Sequence, residues 1–307
     1  MAGFSTGLSG LSAAQAALDV VGNNVVNAGT EGYHRQRIQL APAACGRTGN
    51  GVDVVGVTRM IDTLLESEIT RQESEYGQIS QELSLLRTVE TTFGEFAAGS
   101  GLNATIDAFF DSLRRLAANP LERVSRNDVI STAQVLANDF RRFGSSLESL
   151  EDQIVRQAGN TMDSINLLTT QIAELNGKIQ TTEIGRGQAN NLRDQRDRLI
   201  TELARLVGVE VSPRENGVVD VSIAGVPVVT GAIVLTLCVG LQDDGLLAVT
   251  AGGAEGGLAM TGGRMGALLT LENDLLAGVH ADLDTLARTI VEEVNRNHVQ
   301  GLGVAGS

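Results

Sequence analysis

The feature that most constrains this chain is a change of hydrophobic period. From about Asp62 to Thr181 apolar residues return every three or four positions, from about Val209 to Gly263 they follow a period of two, and from Met265 the helical spacing resumes. One backbone geometry cannot serve both periods, because side chains face the same way every 3.6 residues in a helix and every two in a strand. The expected fold is therefore mainly α with a β-rich insertion (α+β). Long antiparallel, coiled-coil-like helices form a rod-like domain that carries a small β subdomain.

The helical blocks can be set out in order. Leu65, Ile69, Gln72, Tyr76, Ile79, Leu83, Leu86, Glu90 and Phe93 keep heptad spacing behind Asp62, a natural N-cap, with Gln72 and Glu90 as polar interruptions. A shorter helix with Leu102, Ile106, Phe109, Leu113 and Leu116 on one face stops at Asn119-Pro120. The next run carries Ile130, Leu136, Phe140, Phe143, Leu147, Leu150 and Ile154. After a stutter at Gly159 it resumes with Ile165, Leu168, Ile172, Leu175 and Ile179. "NLRDQRDRLITELARLVG" reads as one more amphipathic helix, with Leu192, Leu199, Leu203 and Leu206 inside. In the β-rich block, Glu215-Asn216-Gly217 signals a hairpin. The last helix, from Met265, has Gly278 as its expected bend.

Composition narrows the function. A formal net charge of −14 and a pI near 4.7 argue against a nucleic-acid partner, which requires a basic face. Aromatic residues make up 3% of the chain and Trp is absent, so the core must be aliphatic. Such a core suits packed helices better than a ring-lined ligand pocket. Cys45 and Cys238 stand far apart, and nothing in the sequence supports their pairing. Val226 to Leu241 is the most apolar stretch, but its Pro, Gly and β-branched residues read as strands rather than a membrane span. The N-terminus lacks the basic and apolar regions of a signal peptide. The expectation is a cytoplasmic protein or one exported without a cleaved signal.

The N-terminal segment is different in kind. Phe4, Gly7, Leu11, Ala14, Leu18, Val21 and Val25 form a seam with alternating spacings of three and four. The rest of the segment is small and polar, so the helix is marginal by itself and should be disordered until a partner covers its stripe. It runs into "NNVVNAGTEGYHRQRI", rich in turn formers and hydrogen-bonding side chains.

This opening resembles the N-terminal motif of bacterial flagellar axial proteins, the rod, hook and hook-associated proteins. Asn23, Asn24, Asn27, Thr30, Gly32 and Tyr33 occupy the motif positions. "NNLRDQRDRLITELARLVGVEV" is similar to the signature of the hook-associated protein 1 family, the hook–filament junction proteins, and its positions include Asn191, Leu192, Asp194, Gln195, Arg196 and Asp197. The segment from Gly262 to Gly301 is similar to the one that follows the β insertion there. Two departures stand out: Glu272 replaces a residue that is usually basic, and the family continues through a C-terminal half whose last helices pair with the first. The chain is accordingly expected to be a truncated or fragmentary member.

The resemblance implies a structural role at the hook–filament junction, extracellular in the flagellum, after export without a cleaved signal. The implied partners are other copies of the chain, the hook protein, the second junction protein and the export apparatus. The implied assembly interface is Phe4, Leu11, Leu18, Val21 and Val25 with Asn23, Asn24, Asn27, Thr30, Gly32 and Tyr33. The expected division is an axial helix (1–30), a linker (31–61), a helical bundle (62–207), a β subdomain (208–263), a returning helix (264–300) and a tail (301–307). A rod or hook protein is the nearest rival and would be β-dominated over 62–182. A non-flagellar coiled-coil scaffold would bury the first helix as ordinary core.

Several residues admit two readings. The Asn-rich motif either bonds neighbouring subunits or simply ends a helix in turns. The alternating charges Arg193, Asp194, Arg196, Asp197 and Arg198 make either a solvated face with weak ion pairs or a surface that pins the helix to the β insertion or a neighbour. Asp194 and Asp197 have no completing ligand, so no metal is expected. His34, His280 and His298 lie far apart in sequence, no nucleophile motif surrounds Ser5, Ser9 or Ser12, and the Gly-rich stretches lack phosphate-loop order. No enzyme activity and no cofactor are expected.

Overall fold

The structure, a computed structural model, describes residues 2–43, 51–93, 101–184, 188–243, 245–252 and 256–300. Helix α1 (Ala2–Val26) leads into a hairpin of β1 (Gln36–Pro42) and β2 (Val52–Arg59). Four helices follow: α2 (Thr63–Phe93), α3 (Leu102–Ala118), α4 (Arg123–Ile184) and α5 (Asn190–Leu206). Strands β3 (Val209–Pro213), β4 (Val219–Ile223), β5 (Val226–Thr230) and β6 (Ile233–Val234) form a four-stranded sheet in that order, and β7 (Leu237–Leu241) and β8 (Leu247–Ala251) form a pair. Helix α6 (Gly263–Thr270), a π-helical turn (Leu271–Leu276) and α7 (Ala277–Gln300) complete it. The chain is mainly helical with a β insertion, as its two periods require.

Local chemistry accounts for the boundaries. Asp62 caps α2, its Oδ1 accepting the N–H groups of Leu64 and Leu65 at 3.0 and 3.2 Å. Asn119 closes α3 ahead of Pro120, its N–H donating to the Arg115 and Leu116 carbonyls. The hairpin expected at Glu215-Asn216-Gly217 is present, with Asn216 and Gly217 at φ 53° and 70°. A second turn with positive φ joins β4 to β5 at Ala224 (50°) and Gly225 (76°).

The chain divides into two compact units. The first comprises Met1–Gln78, Thr161–Val239 and Val249–Gly266. Its buried apolar residues include Ile165, Ile172 and Ile179 of α4, Ile200 and Leu203 of α5, and the alternate residues Val219, Val221 and Ile223 of β4. The second comprises Ile79–Asn160, Gly240–Ala248 and Ala267–Ser307. There Leu102 and Phe109 of α3 pack with Leu136 and Phe143 of α4, flanked by Leu283, Ile290 and Val294 of α7.

Helix α4 is continuous for 62 residues, so the stutter at Gly159 leaves the expected long helix unbroken. Three expectations need correction. The irregularity expected at Gly278 lies earlier, in the π turn across Leu271–Leu276. The heptad stripe of α2 is not core: Leu65, Ile69, Tyr76, Ile79, Leu83 and Leu86 are all exposed. The side of α2 set against α5 is one residue on, where Gly77 comes so close that a Cβ would stand 2.1 Å from the Arg205 carbonyl oxygen and Glu73 pairs with Arg205 at 2.6 Å. Finally, Leu192, Leu199 and Leu206 are only half-buried on α5, whose inner face holds Asp194, Arg196, Ile200, Leu203 and Ala204.

Candidate functional site

Helix α1 is formed over its whole length, although its sequence is marginal for a helix. The β1–β2 hairpin supplies support. Ser9 Oγ accepts the Val52 N–H at 3.2 Å, and Ala13 is the one fully buried apolar side chain of the helix among the described residues. The seam predicted for assembly lies away from that support. Phe4 is 81% exposed and Leu18 71%, and Leu11, Val21 and Val25 are exposed too.

The Asn-rich motif is largely bonded within the chain. Asn24 pairs with one residue's backbone twice over: its Nδ2 donates to the Gln36 carbonyl at 2.9 Å, and its Oδ1 accepts the Gln36 N–H at 2.8 Å. The Tyr33 hydroxyl donates to the same Oδ1 at 2.9 Å. Asn27 Nδ2 donates to Asn23 Oδ1 at 2.7 Å, and the Thr30 N–H donates to the Asn27 carbonyl at 2.9 Å. Gly32, at φ 70°, turns the chain toward β1 against the Arg198 methylenes. These bonds end α1 and fix the hairpin to it.

The hairpin is in turn fastened to α5 through a buried ionic joint. Arg59, at the end of β2, donates from one nitrogen to Asp194 Oδ1 at 2.6 Å and to Asp197 Oδ2 at 2.8 Å. His34 Nδ1 lies 2.9 Å from Asp194 Oδ1, and Nε2 lies 3.0 Å from Glu66 Oε1 of α2. Arg196 extends the joint into the sheet: it pairs with Asp197 at 3.0 Å and donates to the Gly217 carbonyl at 2.6 Å. Asn190 Nδ2 donates to the Val57 carbonyl at 2.6 Å, and Gln36 Nε2 to Asn191 Oδ1 at 3.3 Å.

Asp194 and Arg196 are both buried, so this face of α5 is not the solvated one its alternating charges allow. Gln195 and Asn191 point outward, and Leu192 and Asp197 are half-buried. Burial lowers the Arg196 pKa, and Asp197 opposes that. Burial likewise works against the charge of Arg59, but Asp197 and Asp194 outweigh it and hold its pKa above the ordinary value. Tyr33 is pushed up by burial and by Asp194.

Sequence reasoning missed His34, Arg59, Glu66 and Asn190 as members of this joint. The basic cluster after Tyr33 and the Arg that ends "VDVVGVTR" were the available signals, but spacing alone could not pair residues some 135 to 160 positions apart. A cavity of about 620 Å³ adjoins the joint, walled by Arg59, Arg196, Ile200, Val209 and Val218. Among the described residues no group of three or more His, Cys, Asp or Glu is placed to hold a metal. Cys238 is exposed and free, while Cys45 lies outside the described residues. No helix among the described residues is long and apolar enough to cross a membrane.

A helix held by a hairpin, and a buried ionic joint that fastens the hairpin to α5, are the features that fix how the first helix leaves this chain. Residues 86–307 match the family described as flagellar hook-associated protein FlgK helical domain, and the chain belongs to that family. Residues 4–34 match the flagella basal body rod protein family.

Among curated proteins, flagellar hook-associated protein 1 of Salmonella typhimurium is 30% identical, the match covering 98% of this chain and 57% of that protein. Its counterpart in Bacillus subtilis is 32% identical over 70% of this chain and 45% of its own length. The chain thus spans under three-fifths of these relatives. In fold it is similar to the flagellar hook junction protein FlgK from Burkholderia pseudomallei, with a TM-score of 0.64 and 26% identity over 72% of this chain and 41% of that one.

Proposed function

We propose that the chain forms part of the junction between the flagellar hook and filament, as a structural subunit that assembles with copies of itself, with hook protein and with the second junction protein. It works outside the cell, after passage through the flagellar export apparatus without a cleaved signal. The carrying observation is the exposed stripe of α1, where Phe4, Leu11, Leu18, Val21 and Val25 are left uncovered while the β1–β2 hairpin supports the helix at Ser9 and Asn24.

On this reading residues 1–30 are the axial segment and 31–61 a linker that orients it. Residues 62–207 and 264–300 build the helical body, and 208–263 the β subdomain. Asn24 and Tyr33 act by fixing the helix exit; Asn23, Asn27 and Thr30 ring the same turn. The helices α2, α3 and α4 favour a hook-associated subunit over a rod or hook protein, for which strand would dominate there. Membership in the flagellar family argues against a non-flagellar coiled-coil scaffold.

The test is complementation in a flagellated host lacking its own junction protein, using the complete gene. Burial of each Leu-sized side chain contributes roughly 1.5–3 kcal/mol, so losing one shifts assembly about tenfold or more. Leu11→Asp with Leu18→Asp should therefore abolish filaments while the protein is still secreted. Normal filaments from this variant would overturn the proposal.

A further inference from the structure

The joint at His34 carries a consequence that its structural role does not require. His34 leaves the turn after α1 with one ring nitrogen on Asp194 of α5, at 2.9 Å, and the other on Glu66 of α2, at 3.0 Å. A neutral imidazole has one N–H and one lone pair, so it can donate to only one of two carboxylates and turns a lone pair toward the other. Only the imidazolium donates to both.

The charges around it make the same point. Asp194, Asp197 and Glu66 supply three carboxylates to the joint against the two guanidinium groups of Arg59 and Arg196, and the imidazolium form of His34 adds a third cation between two of those carboxylates. Asp194 is shared, since its Oδ1 also accepts from Arg59 at 2.6 Å. Tyr33 beside His34, Arg198 against Gly32, and Arg193 of α5, which pairs with Glu183 and acts on Arg196, are further ionisable neighbours on the packed elements.

We propose that His34 is a proton-operated latch: as imidazolium it clamps the α1–hairpin module to α5 and to the first turns of α2, and as neutral imidazole it releases one carboxylate and loosens that module. The remaining ties, Arg59 to both aspartates and Asn190 to the Val57 carbonyl, keep the module attached. The latch therefore changes how firmly the module is held without detaching it. It is independent of what α1 assembles with.

Burial opposes the charge on His34, but its hydrogen bonds to Glu66 and Asp194 outweigh burial, and its pKa lies above the ordinary 6.5. A raised folded-state pKa gives stability that is fully present below the unfolded value and is lost as pH rises through the folded one. The loosening window thus begins near 6.5 and extends upward. Each unit by which the ring's midpoint exceeds its unfolded value multiplies the opening equilibrium about tenfold once the proton has gone.

The experiment uses the full chain with isotope-labelled histidine. The His34 ring resonance, assigned with His34→Gln, is titrated by NMR, and amide exchange over residues 33–43 and 52–60 is followed across the same pH range, corrected for intrinsic rates. The expected result is a midpoint above 6.5 with hairpin protection falling in step, and a Glu66→Gln variant that moves both midpoints down together. A ring that titrates at or below 6.5, or hairpin protection that does not follow the ring in wild type and Glu66→Gln, overturns the latch. Because Glu66→Gln retains the histidine and its bond to Asp194, the test does not depend on His34→Gln folding normally.

Discussion

At the scale of single residues, one device recurs. A side-chain amide of Asn presents a donor and an acceptor in the geometry of a peptide group, and four asparagines use both on the backbone N–H and C=O of one residue: Asn24 with Gln36, Asn166 with Leu237, Asn176 with Val219, and Asn273 with Leu247. Asn176 is the most demanding case, being wholly buried and donating also to the Gly231 carbonyl at 2.9 Å. Asn176→Ala strands three backbone groups, the buried N–H and C=O of Val219 and the part-buried C=O of Gly231. At about 1–3 kcal/mol for each unsatisfied group, partly relieved by relaxation, a loss of about 2–5 kcal/mol is expected by urea denaturation. Asn24→Ala, at the half-buried C-terminal end of α1 where water can replace the lost partners, should cost about 1 kcal/mol, the worth of an ordinary bond. Equal losses at the two sites would contradict the account. A signal for Asn176 was present in the sequence, because it lies between Ile172 and Ile179 at helical spacing on a buried stripe. What a buried amide bonds is invisible to periodicity, which registers only apolar side chains.

At the scale of elements, period and caps were legible, but the inner face was not. Asp62, Asn119-Pro120 and Asn216-Gly217 act where local chemistry alone decides, and there the sequence reads correctly. On α2 the regular apolar stripe pointed to one side, whereas α5 lies against the side marked by Glu73 and Gly77, about 100° round the helix. Contact there depends on a missing side chain and an ion pair, which carry little weight in a hydrophobic pattern. Similarly, α5 turns Asp194 and Arg196 inward because their partners come from the hairpin and from the turn before β4. Gly77 tests the α2–α5 contact directly. In a free helix Gly→Ala gains about 1 kcal/mol of propensity, but here the new methyl would meet the Arg205 carbonyl, a backbone atom that cannot rotate away. Gly77→Ala should therefore destabilise by about 1–3 kcal/mol, the usual range for overpacking. Thermal unfolding would show the sign, and a stabilised variant would mean that the two helices are not in contact.

For the molecule as a whole, the chain divides its apolar surface unequally. Helix α4 buries Ile165, Ile172 and Ile179 completely, whereas α1 buries only Ala13 among its described large or small apolar side chains and exposes its whole stripe. Local stability follows buried contacts, so the two helices should open with very different free energies although both are drawn as regular helix. The support for α1 includes Ser9 to Val52, Asn24 to Gln36 and one buried alanine. Those contacts are enough to orient a helix but weak against the cost of fixing its backbone, about 1–2 kcal/mol per residue. In dilute monomer, hydrogen exchange over residues 3–20 should therefore be at least about a hundredfold faster than over residues 161–180, because each tenfold step needs only about 1.4 kcal/mol of difference in opening. If the stripe from Phe4 to Val25 is the proposed assembly surface, protection over residues 3–20 should rise toward that of α4 when the chain assembles. The sequence already pointed this way through its glycines, serines and small seam residues. It did not disclose that a hairpin would hold the helix in place before any neighbour arrives. If the monomer protects residues 3–20 as strongly as α4, order in α1 comes from within the chain and the stripe needs another explanation than assembly.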